Sequence, residues 1–569
     1  MKTLYTLIVI SLFSVQSMFA QKTEVPLRFD DYYSYEEVIQ AIKALNKAYP
    51  NLTKAELVGK SEENREIWAL TINNPKTGKE LEKPGVYVDG NIHGNELQAA
   101  EVCLYFAQYM LSNYGKNEQL TKLTDRNAYY IVPSVNVDGR AHFVEGGNTP
   151  STNRGLRRPK DDDRDGLYDE DFPDDLDGDG NITQMRKKDP NGKYKTDPEE
   201  PRLMIPVEEG EQGEWTILGY EGIDNDGDGK LNEDSEGYVD GNRNWPHDWQ
   251  PNYVQRGAGS YPLSGVGMRA LSKYILARPN IILSYAFHNS GGMFLRGPSS
   301  KESGPAHPKD IEVYDYLGYN AEKIVPGYRY LISWKDLYTT YGDFGDFLES
   351  VMGSYTFVGE LFNNSVETYN NDKDDKPKSR QERMRERLKF NDHLGHGTLY
   401  KDWEKFEHPQ YGEIEIGGWV KYSSRLSHPF MLKDLVHRNA SAVIFAAEQT
   451  PKVEMQVFEK QELSKGLYRI RVRLINKGGI PTMSHHSYVN NLYPKDILRV
   501  EGGEVSAGGF ISNAFLNNVT YKEHKPSVLF FHIEGHSKKE AEFIVKAKGK
   551  IQLEYISQKA GNITQEISL

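Results

Sequence analysis

One cysteine, Cys103, is all that the 569 residues contain, so no disulfide can form within the chain. Cys103 falls in a stretch with helical apolar spacing and is expected to be a buried, inert thiol. Long apolar runs are equally scarce. The stretch from Leu4 to Phe13 is too short to span a bilayer, and no comparable run follows it, so no membrane insertion is expected. A basic surplus is missing too: 69 Lys and Arg stand against 82 Asp and Glu, a net charge of -13. That balance argues against a nucleic-acid partner, which needs a basic face.

What is present begins with Met1-Lys2, the apolar stretch, and a break near Ala20-Gln21. This reads as a secretory signal peptide over residues 1–20, implying export to a periplasmic or extracellular location. The remaining length exceeds one hydrophobic core, so two domains are expected, residues 21–450 and 451–569. A monomer is expected.

Ser34-Tyr35-Glu36-Glu37 is a capping box ahead of Val38, Ile42 and Leu45 at helical spacing. Apolar runs at Val86 to Val88, Tyr129 to Val132 and Ile281 to Phe287 then alternate with helical patterns at Glu96 to Leu111, Gly267 to Leu276 and Lys433 to Glu448. This is the rhythm of an α/β domain with a largely buried sheet. Beyond Pro451 the period changes to two. Tyr468, Ile470, Val472 and Leu474 alternate with arginines, and Ile551, Leu553 and Tyr555 repeat the beat, which predicts an all-β sandwich with no chemical constellation of its own.

The strand-like Pro84 to Gly90 leads into His93-Gly94-Asn95-Glu96. An imidazole and a carboxylate three residues apart can reach one metal ion, but with 15 histidines about one His-x-x-Glu arises by chance. A second copy, His142-Phe143-Val144-Glu145, indeed occurs. It lacks a preceding buried strand, so context favours the first. A catalytic zinc wants three protein ligands and an open position, and His288, at the end of the apolar run from Ile281, supplies a third candidate.

The order His93-x-x-Glu96, Asn242-Arg243-Asn244-Trp245, His288 and Gly359-Glu360-Leu361 resembles the zinc carboxypeptidases typified by pancreatic carboxypeptidases A and B, over roughly residues 30–450. The resemblance implies a mixed eight-stranded sheet flanked by helices, and hydrolysis of the C-terminal peptide bond of peptides or proteins. It implies Zn2+ held by His93, Glu96 and His288, with Asp240 orienting the first imidazole. Glu360 matches the general base that takes a proton from the attacking water and passes it to the leaving amine. Asn242 and Arg243 match the pair that holds the terminal carboxylate, with Tyr338 as a third donor and Tyr341 as the alternative. Arg157 matches the arginine that steadies the developing oxyanion, with Arg158 as a rival guanidinium. Phe347 replaces the family's Trp. Gly345 matches a position lining the pocket for the terminal side chain, so no charge is offered there, and Asp343 stands nearby.

The resemblance implies that residues 158–239 are an insertion, since the family needs only a short connection there. Asp161 to Asp171 lines up residue for residue with Asp224 to Asp234, and a third copy starts at Asp175. Alternate carboxylates ending in Gly, at Asp161, Asp163 and Asp165, at Asp175, Asp177 and Asp179, and at Asp224, Asp226 and Asp228, read as loops for structural Ca2+. Ser235 stands where an EF-hand would place its bidentate Glu. Two other functions fit parts of the pattern: a zinc amidase acting on cell-wall peptides, and an inactive calcium-stabilised binding protein. Intact Asn242, Arg243 and Tyr338 argue for a free carboxylate, and intact Glu360 argues against an inactive scaffold.

Overall fold

The computed structural model describes residues 25–569 except Arg154, Asp163, Ser235, Glu236 and residues 363–377. The expected signal segment, residues 1–20, lies outside the described residues. Eight strands build the main sheet: β1 (Thr53–Lys60), β2 (Glu66–Ile72), β3 (Gly85–Gly90), β4 (Ala128–Val132), β5 (Ile281–Asn289), β6 (Met293–Arg296), β7 (Arg329–Ile332) and β8 (Tyr355–Leu361). Their order is β1-β2-β4-β3-β5-β8-β6-β7. The four middle strands, β4, β3, β5 and β8, run parallel; β2 and β6 join them antiparallel on either side, β1 pairs antiparallel with β2, and β7 runs parallel to β6.

Strands β3, β4 and β5 are buried along their whole length, which is why they read as continuous apolar runs rather than alternations. Helices cover both faces. Tyr35–Ala48, Gln98–Asn113, Pro308–Ile324 and Pro429–Glu448 pack through Leu45, Phe106, Leu317 and Val436 on one side. Val266–Leu276 and Phe344–Ser350 close the other through Leu271 and Phe347. The Ser34 capping box forms as its sequence implies, with both reciprocal hydrogen bonds present.

Two boundaries differ from expectation. The helix after β3 starts at Gln98 rather than Glu96, because Glu96 N donates to His93 O at 3.2 Å and completes a turn first. His288 lies inside β5, which continues to Asn289.

The insertion holds more than loops. Gln184–Lys188, Tyr194–Thr196, Met204–Pro206 and Trp215–Tyr220 join the distant hairpin Tyr400–His408 and Gly412–Trp419 in a six-stranded sheet. These strands are short and mostly half-exposed, so their apolar signal is weak. Arg186 stands between the rings of Trp215 and Trp403, 3.9 and 4.1 Å from their centroids, and pairs with Glu415 at 2.6 Å.

Beyond the helix Pro429–Glu448 come a five-stranded and a four-stranded antiparallel sheet. Their shared core holds Ile470, Val472 and Leu474 from one and Leu553 and Tyr555 from the other. This β domain is tied to the main sheet by polar contacts. The buried Lys559 Nζ donates to the carbonyls of Ile281 and Met352, and Asp310 accepts the amides of His485 and His486, both at 2.8 Å.

Candidate metal centre

The carboxyl ends of parallel strands in an open sheet are where ligands collect, and three candidate residues arrive at such ends. His93 follows β3, His288 is the next-to-last residue of β5, and Glu360, its register partner, is the next-to-last residue of β8. Glu96 completes the turn begun by His93. That turn is fixed from beneath: the buried Asn91, at φ 62°, donates from Nδ2 to the carbonyls of His93 and Gly94 at 2.8 and 3.0 Å. Its Oδ1 accepts Ser134 Oγ at 2.9 Å. Asn tolerates this left-handed backbone better than most residues. Gly94 has no room for a side chain, since a Cβ would lie 2.5 Å from the Gly139 backbone. Arg140, fully buried and paired with Glu101 at 2.6 Å, donates to Leu97 O at 3.1 Å just after the turn.

The donor atoms converge. His93 Nδ1 lies 3.1 Å from Glu96 Oε1, His288 Nδ1 lies 3.1 Å from Glu96 Oε2, and the two Nδ1 atoms are 3.2 Å apart. Ligands about 2.1 Å from a tetrahedral zinc sit roughly 3.4 Å from each other, so the cluster has the size of a zinc first coordination sphere. The tautomer agrees. His93 Nε2 is 3.1 Å from Asp240 Oδ1, and a proton shared there leaves the Nδ1 lone pair facing inward. Two inward lone pairs beside a carboxylate would repel without a cation, so these residues fit zinc on chemical grounds.

Electrostatics follow. Burial, the largest single influence, pushes the Glu96 and Asp240 carboxyls up, but their partners together outweigh it, His93 and His288 at Glu96 and His93, Arg243 and the amide of Asn242 at Asp240; Glu96 is lowered to about 2 and Asp240 lies well below the usual range. Glu360 goes the other way. Its burial dominates, aided by the charge of Glu96 and only partly offset by His288, His93 and Arg425, so its carboxyl is raised. A base poised nearer neutrality can both take and return a proton.

The segment Asp240 to Trp245 positions Asn242 and Arg243. Asn242 N donates to Asp240 Oδ1 at 2.7 Å, and Asn242 Oδ1 accepts Phe344 N at 2.9 Å. Trp245 is fully buried against Phe344 and Phe347, with centroids 4.4 and 4.8 Å away. Burial lowers the Arg243 guanidinium, yet Asp240, Asp343 and the Tyr338 hydroxyl beside it raise it overall. Tyr338 is 55% exposed at its end of an irregular turn, whereas Tyr341 reaches Glu302 instead, at 3.3 Å.

One expectation fails. Arg157 lies 3.7 Å from Asp169 and lines a surface cavity with Glu63, Arg65, His142 and Glu145, none of them from the metal cluster. The reason is local: Leu156 is bridged to Val239, which turns the next side chain outward to the acidic insertion. Arg158 donates to Ser264 O at 2.6 Å and does not replace it. The second His-x-x-Glu copy, ending the helix Val137–Glu145, borders that same cavity. Asn91, Arg140 and Arg425 carry no motif that would have marked them in the sequence.

In the insertion, the paired copies show matching turns. Asp161 accepts Arg164 N and Gly166 N, and Asp224 accepts Gly227 N and Gly229 N. Asp171 and Asp234, both buried, cross-link the two loops, with Asp171 N donating to Asp234 Oδ2 at 2.8 Å. Oxygens of Asp171, Asp226 and Glu233 gather within 4.8 Å, as do those of Asp165, Glu170 and Asp226. In the third loop the Lys401 ammonium sits on Asp177 and Asp179. Asp163 lies outside the described residues.

A family model described as zinc carboxypeptidase matches residues 38–217, and one described as a domain of unknown function matches residues 452–568. Human carboxypeptidase D is 34% identical over 148 residues, 26% of this chain and 11% of that protein. Mouse carboxypeptidase M is 30% identical over 111 residues, 19% of this chain and 25% of that protein. Only a small part of these curated relatives is thus spanned. The crystal structure of carboxypeptidase A from Helicoverpa armigera aligns over 77% of this chain and 78% of its own, at 17% identity and a TM-score of 0.43. His93 and Glu96 fall inside the matched stretch 38–217, while Asp240, His288 and Glu360 fall beyond it.

Proposed function

We propose that this chain, whose residues 38–217 match a family model described as zinc carboxypeptidase, removes residues from the free C-termini of peptides or proteins. The observation that carries the reading is the meeting of two imidazoles and a carboxylate at 3.1 to 3.2 Å beside Glu360.

His93, Glu96 and His288 would hold zinc, which when bound acidifies water and polarises a carbonyl. Asp240 fixes the tautomer of His93. Glu360, its carboxyl raised by burial, takes the proton of the attacking water and returns it to the leaving nitrogen, so one residue serves both halves of the reaction. Asn242 and Arg243, with Tyr338 alongside, hold the substrate's terminal carboxylate by forked hydrogen bonds. The peptide is thereby placed so that its last bond, and no inner one, meets Glu360.

Export of the chain is part of the same proposal, supported by the apolar segment at its start. Among the described residues no helix is long and apolar enough to cross a membrane. Calcium is proposed for the paired loops at Asp161 and Asp224, with Glu170, Asp171 and Glu233 joining the motif carboxylates. The third loop is left to Lys401, which already supplies a cation. Hard oxygen donors gathered in this way suit Ca2+.

The test is a set of matched peptides with free or amidated C-termini, followed by mass spectrometry. Loss of single residues from the free peptides alone is expected. Equal cleavage of amidated peptides would remove the exopeptidase reading, and Arg243→Ala is expected to raise KM far more than it changes stability.

A further inference from the structure

Two imidazoles and a carboxylate meet a second time, where the β domain abuts the helical layer. His485 opens the helix His485–Asn490, and His532 and Glu534 follow the strand Val528–Phe531. Each brings one ligand atom within 4.8 Å of the other two. The backbone fixes this meeting: Thr482 N donates to Ile533 O and Ile533 N to Thr482 Oγ1, both at 2.9 Å.

The groups around the cluster are oriented rather than loose. His532 Nε2 lies 3.1 Å from Glu534 Oε1. The amide of His485 is anchored on Asp310 at 2.8 Å, and its ring stacks on His307 with centroids 3.8 Å apart. Yet Nδ1 of His485 is buried and has no hydrogen-bond partner among the described residues. The charge now facing Glu534 is the ammonium of Lys309, 2.7 Å from the same Oε1, on a side chain that is half exposed.

We infer that His485, His532 and Glu534 form a second transition-metal site, which takes Zn2+ and fastens the start of the helix His485–Asn490 to the end of the strand Val528–Phe531. Mixed imidazole and carboxylate donors suit zinc better than the oxygen-seeking Ca2+ or Mg2+. The ion takes over from Lys309 the task of neutralising Glu534, and the lysine stem swings into solvent. A buried imidazole nitrogen left without a partner gains one. Because Asp310 and His307 belong to the helical layer, the ion also stiffens the junction between the two domains. This role is structural and independent of the proposed hydrolytic centre.

Metal counting tests it. Full-length protein stripped by a chelator and reloaded with Zn2+ in calcium-saturated buffer is expected to hold two Zn2+ per chain by elemental analysis. His532→Ala and Glu534→Gln each bring the count to one without loss of peptidase activity, and His93→Ala brings it to one by losing the other ion. Lys309→Ala removes the competing ammonium and is expected to tighten Zn2+ here about fivefold, a gain that no folding defect imitates. A single Zn2+ in the wild type that survives both His532→Ala and Glu534→Gln overturns the proposal. A single Zn2+ lost in His532→Ala but kept in His93→Ala upholds it and instead unseats the hydrolytic centre.

Discussion

Glu360 stands directly beside His288, its register partner on the neighbouring parallel strand. Adjacent positions at the carboxyl ends of two parallel strands keep the proposed base and one proposed ligand at a fixed separation, whatever the loops around them do. Glu360→Gln keeps the shape and removes the proton acceptor. Turnover of a free-carboxylate peptide is expected to fall by about 10²- to 10⁴-fold with zinc content unchanged, and a variant that retains full kcat would dismiss Glu360 as the base.

Asp240 acts through His93. Replacing it by Asn leaves a hydrogen-bonding group but no charge to hold the imidazole tautomer. Zinc affinity is expected to drop about 10- to 100-fold, read by competition with a colorimetric chelator. Equal affinities in variant and wild type would mean that the 3.1 Å contact is incidental.

The turn from His93 to Glu96 depends on Gly94, where a Cβ would overlap the Gly139 backbone. Gly94→Ala forces the turn away from the helix Val137–Glu145 at a cost of about 1–3 kcal/mol. Zinc binding should weaken together with stability. Urea unfolding with and without zinc separates the two effects, and a variant unchanged in both would show that the packing is looser than the contacts imply.

Lys559 gives a pH signature. Burial pushes its amine down to about 7, from 10.5, so at pH values between these the unfolded chain carries a proton that the folded chain lacks. Stability contributed by this residue therefore rises from about pH 7 toward pH 10, by at most about 1.4 kcal/mol per pH unit. Below that window both states are protonated and the contribution is constant. The stability difference between wild type and Lys559→Met is expected to grow in favour of the wild type across pH 7, 8 and 9. Parallel curves for the two proteins would refute the assignment.

Removing calcium should loosen the insertion. Chelation is expected to lower the first thermal transition by on the order of a few degrees, calcium should restore it, and Asp224→Ala with Asp226→Ala should abolish the response. A melting curve indifferent to the chelator would leave the paired loops to hydrogen bonding alone.

How much of this could be read beforehand differs from residue to residue. His93, Glu96, His288 and Glu360 were visible because each sits at or just past the end of an apolar run, and strands buried on both faces leave such runs in any sequence. The strands beyond Pro451 showed for the same kind of reason, since alternation with period two is a local property. The partition of Ser34 to Ala48 into cap and helix was also written in neighbouring residues.

Other features exist only once distant segments meet. Whether Arg157 faces a metal or an acidic insertion depends on the bridge between Leu156 and Val239, and no spacing encodes that pairing. Arg186 finds its partner Glu415 across more than two hundred positions, so the six-stranded sheet escaped notice. Asn91 supports the His93 to Glu96 turn from below, and Lys559 grips the start of the strand that carries His288 and the segment just before the strand that carries Glu360. The sequence by itself determined the periodic elements and the candidate ligand residues near their ends, because local burial imposes local pattern. Tertiary structure alone decided which charges and lone pairs face one another, because that depends on contacts whose partners lie far apart along the chain.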